Sequence, residues 1–148
     1  MAKALQTAVA RQRLLLSSKL FSRLLRLAIE CAAVWPEREE LEKVLEHGLK
    51  LMPYSKYLFI LDDKARQITS NISHTGPMPE NIGRDRSERP YLAKAMAGEK
   101  FSLSDAYISR NARRPSLTAV QHIRDEDDNL LGYLGVDFDL RELPITRQ

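Results

Sequence analysis

The apolar residues Leu5, Val9, Leu16, Leu20, Leu24, Leu27 and Cys31 recur at spacings of three, four and seven, while Arg11, Arg23, Arg26 and Glu30 fall elsewhere on the wheel. This period predicts one long amphipathic helix that ends near Trp35 and Pro36. Pro36 suits the first turn of a second helix, where Glu37, Glu39 and Glu40 favour the dipole. Leu41, Val44, Leu45 and Leu49 form the apolar stripe of that helix, which stops by Pro53. The pattern then changes. An apolar run from Tyr57 to Leu61, a turn at Asp62-Asp63-Lys64 and a second segment from Gln67 to Asn71 predict a β-hairpin. Residues that favour irregular backbone fill Ile72 to Arg84, which predicts a loop lying over a pocket. A short third helix follows from Pro90, with Tyr91, Leu92, Ala95 and Met96 as its stripe and Gly98 as its C-cap. Phe101 to Leu103 and Ala106 to Ser109 are extended, Ser116 to Arg124 alternates, and Leu130 to Phe138 is again a strand, with turns at Arg110 to Pro115 and Asp125 to Asn129. Three antiparallel strands joined by hairpins fit this stretch. The whole order predicts an α+β domain with one antiparallel sheet of about five strands, a long N-terminal helix and shorter helices packed mainly on one face.

Composition adds bounds. At 148 residues the chain suits a single core, with residues 1–35 as the long helix and 36–148 as the α/β body. Twenty-three basic residues against 20 acidic ones leave a net charge of +3, too slight to drive nucleic-acid binding. The distribution is uneven, because Met1 to Arg26 carries Lys3, Arg11, Arg13, Lys19, Arg23 and Arg26 and no acid, giving the helix a basic face. The single cysteine, Cys31, rules out a disulfide within the chain and a cysteine-based metal cluster. Lys19, Arg23, Arg26 and Glu30 interrupt the apolar stretch from Leu14 to Trp35, so it falls short of the about 18 uncharged residues of a membrane span. The same charges, and the lack of a small-residue cleavage site, speak against a secretion signal.

Candidate chemistry is sparse. His47, His74 and His122 are scattered over a helix, a loop and a strand without metal-ligand spacing, and Asp125 to Asp128 lacks the spaced oxygen ligands of a calcium loop. No phosphate-cradling glycine loop or paired nucleophile and base is present. No metal, no cofactor and no enzymatic activity are expected.

Four stretches carry more: Tyr57-Leu58-Phe59-Ile60-Leu61-Asp62-Asp63, Gly83-Arg84-Asp85-Arg86-Ser87-Glu88-Arg89-Pro90-Tyr91, Ser104-Asp105-Ala106-Tyr107-Ile108 and Gly132-Tyr133-Leu134-Gly135-Val136-Asp137-Phe138-Asp139-Leu140. Together, and in this order, they resemble the Cache family of PAS-like bacterial sensor domains across nearly the whole chain. The resemblance implies a pocket between the sheet and the loop-helix segment that covers it. Arg89 matches the arginine of the family's ligand motif, and a guanidinium there holds a carboxylate by a two-pronged contact. Tyr91 and Tyr107 match pocket-facing aromatics, against the alternative of plain core packing. Asp137 matches the carboxylate that receives the ammonium group in amino-acid-sensing relatives, against the alternative that Asp137 or Asp139 caps a helix over Leu140 to Leu143. The second acid of that amine site appears here as Ser109, and Leu92 replaces a second aromatic hydroxyl, so a small carboxylate is as well supported as an amino acid.

The resemblance further implies a homodimer through the N-terminal helix and a separate signalling output protein. No nucleic acid is expected. The chain stands alone in the cytoplasm, the preferred reading, or is an excised sensor from an extracytoplasmic receptor. A competing reading is a non-enzymatic scaffold whose basic helix docks on a membrane surface, nucleic acid or protein.

Overall fold

The computed structural model describes residues 2–104, 107–108 and 115–139, with side chains for 18–104 and 116–139. Helix α1 runs from Ala2 to Ala33. Of its predicted stripe, Leu20, Leu24, Leu27 and Cys31 are fully buried, whereas Leu5, Val9 and Leu16 lie outside the described side chains. Helix α2 spans Arg38–Leu51, with Glu39 and Glu40 in its first turn and Lys50 in its last, the arrangement that complements the helix dipole. Pro36 is displaced from the first turn predicted for it. It sits in the connecting turn, and Glu37 occupies the N-cap position, its carbonyl accepting from the Leu41 N–H at 2.9 Å. Gly48 lets α2 approach closely, since a Cβ there would stand 2.8 Å from the Leu27 side chain and 2.9 Å from that of Leu58.

The strands are β1 (Ser55–Asp62), β2 (Asn71–Ser73), β3 (Gly76–Met78), β4 (Phe101–Leu103), β5 (Tyr107–Ile108), β6 (Pro115–Arg124) and β7 (Leu130–Asp139). They form one antiparallel sheet in the order β3-β2-β1-β7-β6-β4, with β5 also paired to β6. Strands β4 and β5 lie along the same edge of β6 and act as one interrupted strand. The continuous path therefore has six strands against the five expected, and the addition is β3, folded from the segment predicted as loop. A 3-10 turn at Pro79–Asn81 occupies more of that segment.

The predicted second hairpin strand, Gln67 to Asn71, is split. Gln67 bridges Leu61 and the Ile68 N–H reaches the Ile60 carbonyl, but regular pairing resumes only at Ile72. In between, side chains replace the ladder, for Thr69 Oγ1 accepts the Ile60 N–H at 3.1 Å and Glu42 on α2 accepts the Ser70 N–H at 2.9 Å. The short third helix is a 3-10 turn at Pro90–Leu92 that continues as α3, Ala93–Met96. Gly98, with φ +112°, takes the left-handed geometry that ends it.

Alternation along the long strands gives the sheet two buried faces. Leu58, Ile60, Leu117, Ala119, Ile123, Leu134, Val136 and Phe138 pack with α1 and α2. Tyr57, Phe59, Leu61, Val120 and Tyr133 point the other way, under Ala65, Tyr91, Leu92 and Ala95.

Candidate functional site

The second face is covered by the segment that leads into α3. Residues 83–86 run beside 65–67, with the Gly83 N–H on the Gln67 carbonyl at 2.8 Å, the Gln67 N–H on the Arg84 carbonyl at 2.9 Å and the Arg86 N–H on the Ala65 carbonyl at 2.9 Å. This pairing fixes the strand-like geometry that turns the Arg86 side chain inward, where it is 3% exposed.

Among the described residues, the hydrogen-bond partners of the Arg86 guanidinium are neutral groups. Its Nε donates to Gln67 Oε1 at 2.7 Å, one Nη to the Tyr91 hydroxyl at 2.9 Å and the other to Asn71 Oδ1 at 3.4 Å. Gln67 is held in that orientation because its own amide N–H groups donate to the Thr69 carbonyl and to Asn71 Oδ1, each at 2.8 Å. The flat face of the guanidinium lies 4.4 Å from the centre of the Phe59 ring, a cation–π contact. Phe59 can lie there because Gly135 faces it, since a Cβ at that position would stand 2.3 Å from the ring. Among the described residues, two N–H groups of Arg86 are left over from these three bonds and the buried Asn71 Nδ2 has no hydrogen-bond partner. Among the described residues no carboxylate forms an ion pair with Arg86.

Asp137 stands on the same face, paired across the sheet with Tyr57 on β1 and Thr118 on β6. Thr118 donates its hydroxyl to Asp137 Oδ1 at 2.6 Å. Burial raises the Asp137 carboxyl above the usual carboxylate range, against the opposing pull of the Thr118 hydroxyl and the positive charge of Arg86. Burial likewise raises the Tyr91 phenol, opposed by Arg86.

The structure thus brings Tyr91 and Asp137 to one cluster with Arg86 at its centre. Arg89 is half-buried at the start of the next 3-10 turn and acts on Tyr91 through its charge. Tyr107 pairs through its backbone with Ser116, but its side chain, and Ser109 altogether, lie outside the described residues, as does the helix considered over Leu140 to Leu143. Leu92 is a fully buried core residue. Gln67, Asn71, Thr118 and Arg86 itself are absent from the predicted site. The signal for Arg86 was present, because it falls in the same motif as Arg89, three residues earlier.

Beside this cluster a cleft of about 320 Å³ is lined by Pro53, Tyr54, Ser55, Lys56, Ser73, His74, Thr75 and Asp139. His74 Nε2 lies 2.8 Å from the Ser55 carbonyl. The Lys56 ammonium is out of solvent contact, has no hydrogen-bond partner among the described residues and lies 5.6 Å from the centre of the Tyr57 ring. His122 is engaged structurally, with Nε2 on the Ala95 carbonyl at 2.7 Å and Nδ1 accepting from Arg124, which ties α3 to β6. The acidic turn closes on itself, Asp125 Oδ1 accepting the N–H groups of Asp127 and Asn129 at 2.9 Å. Among the described residues no group of three or more His, Cys, Asp or Glu is placed to hold a metal ion.

No family profile matches the chain. A curated protein, the Citrate (Re)-synthase of Syntrophus aciditrophicus (strain SB), is 26% identical over 124 residues, which are 80% of this chain and 20% of that protein. Among solved structures, an extracellular ligand binding receptor from Desulfohalobium retbaense superposes with a TM-score of 0.74 at 16% identity, over 90% of this chain and 24% of that one. The ligand-binding domain of the Campylobacter jejuni chemoreceptor Tlp3, in complex with 4-methylisoleucine, superposes with a TM-score of 0.73 at 15% identity, over 95% of this chain and 56% of that one. The chain spans a fifth of the curated relative and a quarter to just over half of these receptors. A six-stranded antiparallel sheet, clasped by a long helix on one face and a loop-helix cover on the other, is thus the Cache-type fold of bacterial ligand-binding sensor domains.

Proposed function

We propose that the chain is the ligand-binding module of a bacterial signalling protein and that it holds a small carboxylate-bearing metabolite or amino acid on Arg86. The observation that carries this reading is a buried guanidinium that, among the described residues, bonds neutral acceptors alone and leaves donors of its own and of Asn71 unspent. Burying a charge in this state is costly, and a carboxylate that accepts the remaining N–H groups offsets the cost. Tyr91 and Asp137 are buried in the same cluster, and Arg89, Tyr107 and Ser109 are further candidate contacts. In the Tlp3 structure the corresponding fold is seen with 4-methylisoleucine, which supports a ligand of this size. Binding would shift the cover against the sheet, and α1, as a helix pair with a second copy, would pass the shift to an output partner.

The curated relative favours a second context for the same module, as an effector-binding part of a larger enzyme, and makes citrate one of the probes to use. The decisive measurement is thermal unfolding with a panel of carboxylates, citrate and amino acids, on the parent chain, Arg86→Met and Arg89→Ala. A ligand at 100 times its Kd stabilises by about 2.7 kcal/mol. Stabilisation should vanish in Arg86→Met. A response that survives Arg86→Met, or the absence of any response in the parent chain, would overturn the proposal, and a response lost only in Arg89→Ala would move the anchor to that residue.

A further inference from the structure

Glu42 on α2 and Arg86 under the cover stand at the two ends of one chain of hydrogen bonds. The Glu42 carboxylate accepts the Ser70 N–H at 2.9 Å. The carbonyl of the same peptide group, that of Thr69, accepts from Gln67 Nε2 at 2.8 Å. The oxygen of that side-chain amide, Gln67 Oε1, accepts from Arg86 Nε at 2.7 Å. The Thr69–Ser70 peptide is trans, so its C=O and N–H point in opposite directions, and one rigid plane links the polar cluster to the helix. Gln67, Thr69 and Ser70 are all buried. Pairing within the sheet does not require this arrangement. The Ile60 N–H goes to Thr69 Oγ1 and the regular register of β1 with β2 resumes at Ile72, which leaves the Ser70 N–H out of the ladder. A buried N–H needs an acceptor, and Glu42 supplies it.

A carboxylate does more here than a neutral acceptor would. Donation runs one way along the chain, from the guanidinium through two amide groups to the carboxylate, so each bond polarises the next. Among the described residues neither Glu42 nor Arg86 forms an ion pair. Two opposite charges are thus joined through neutral amides instead of by contact. We infer that Glu42 is a positioning residue of the Arg86 site and that the Thr69–Ser70 peptide and Gln67 couple that site to α2. The coupling is a property of the chain without ligand, and its use in signalling rests on the carboxylate reading of the Arg86 site. A carboxylate drawn onto Arg86 competes with Gln67 for the charge of the guanidinium and weakens the pull on the peptide. The change reaches Glu42 and with it α2, which Gly48 seats against Leu27 of α1.

A double-mutant cycle measures the coupling with no ligand present. Glu42→Gln keeps an oxygen for the Ser70 N–H and removes the charge, Arg86→Met removes the other end, and the two are combined, each variant being unfolded in urea. Arg86→Gln is the second variant should Arg86→Met not fold. The combined variant should lose less of its folding equilibrium constant than the product of the single losses, by about threefold or more. The Arg86 Nε–H proton, which is bonded to Gln67 and not to Glu42, gives a readout by NMR that a local role of Glu42 would not move. It should shift upfield in Glu42→Gln and stay in place in Glu40→Gln, a carboxylate of the same helix that is exposed and bonded to Lys43. Additive losses in the cycle, an Arg86 Nε–H that does not respond to Glu42→Gln, or an equal response to Glu40→Gln would overturn the inference. A coupling that persists unchanged when the cycle is repeated in Gln67→Met would overturn the route. All of these outcomes leave the carboxylate reading standing, because the ligand panel tests it separately. A panel without any response would remove the signalling use and leave the measured coupling in place.

Discussion

The two faces of the sheet are built from the same strands and are equally buried, yet they are different materials. Toward α1 and α2 the alternate residues Leu58, Ile60, Leu134, Val136 and Phe138 meet Leu20, Leu24, Leu27, Leu41 and Leu45 in an aliphatic core. Toward the 83–95 cover, the neighbours Tyr57, Phe59, Tyr133, Thr118 and Asp137 meet Arg86, Gln67, Asn71 and Tyr91. Aliphatic burial supplies most of the favourable free energy of folding. A buried guanidinium and carboxyl contribute little to stability once their desolvation is counted. The difference teaches that polarity retained at full burial marks the face selected for something other than stability. The helix face holds the domain together, and the other face carries the buried polar cluster on which the proposed ligand site is built.

Three substitutions break or sharpen this contrast. Leu24→Ala on the helix side should cost about 3 kcal/mol, read from chemical denaturation, and leave the ligand response of the folded protein unchanged. Loss of that response in folded Leu24→Ala would mean that the faces are not separable. Gly135→Ala acts on the other face, where Gly135 pairs with Phe59 and Val120. Its methyl would overlap the Phe59 ring, so it should cost about 2 kcal/mol and also abolish carboxylate binding, because the platform beneath Arg86 moves. A stable Gly135→Ala that still binds would remove Phe59 from the site.

The smallest effect is one of pH. The Asp137 carboxyl is raised by burial, so the native state holds its proton to higher pH than the unfolded chain, whose carboxyl titrates at about 3.9. Stability from this group is full below that value and declines as pH rises through the native one. Asp137→Asn removes the decline and should gain on the parent chain as pH rises above about 4, measured as the difference in urea midpoints. A difference that is flat, or that runs the other way, would show that Asp137 is ionised at no cost.

The apolar face was legible in the sequence. Period 3.6 in Leu20, Leu24, Leu27 and Cys31, and period 2 in Ser116 to Arg124 and Leu130 to Phe138, are imposed by burial against one partner surface and can be read without knowing what that surface is. Of the polar face, the motifs singled out Tyr91 and Asp137, which are both buried on it. The interior arginine was not. Arg86 and Arg89 have the same chemistry and stand in one motif, and no periodicity distinguishes them. What turns Arg86 inward is the backbone pairing of 83–86 with 65–67, a contact in which Gln67 alone belongs to a predicted strand. Gln67 and Asn71, polar members of a supposed regular strand, were hidden for the same reason, since the excursion at Thr69 and Ser70 is fixed by side-chain bonds to Ile60 and by Glu42.

The sequence by itself determined the order of elements, the long helix, the hairpin and the meander, because each follows from local propensity and from which residues avoid water. Only the tertiary structure decided which arginine is enclosed and that Lys56 is the extra residue of a bulge in β1. These follow from register and from packing between distant segments, and a one-residue shift in either would have exchanged the groups that face the cover.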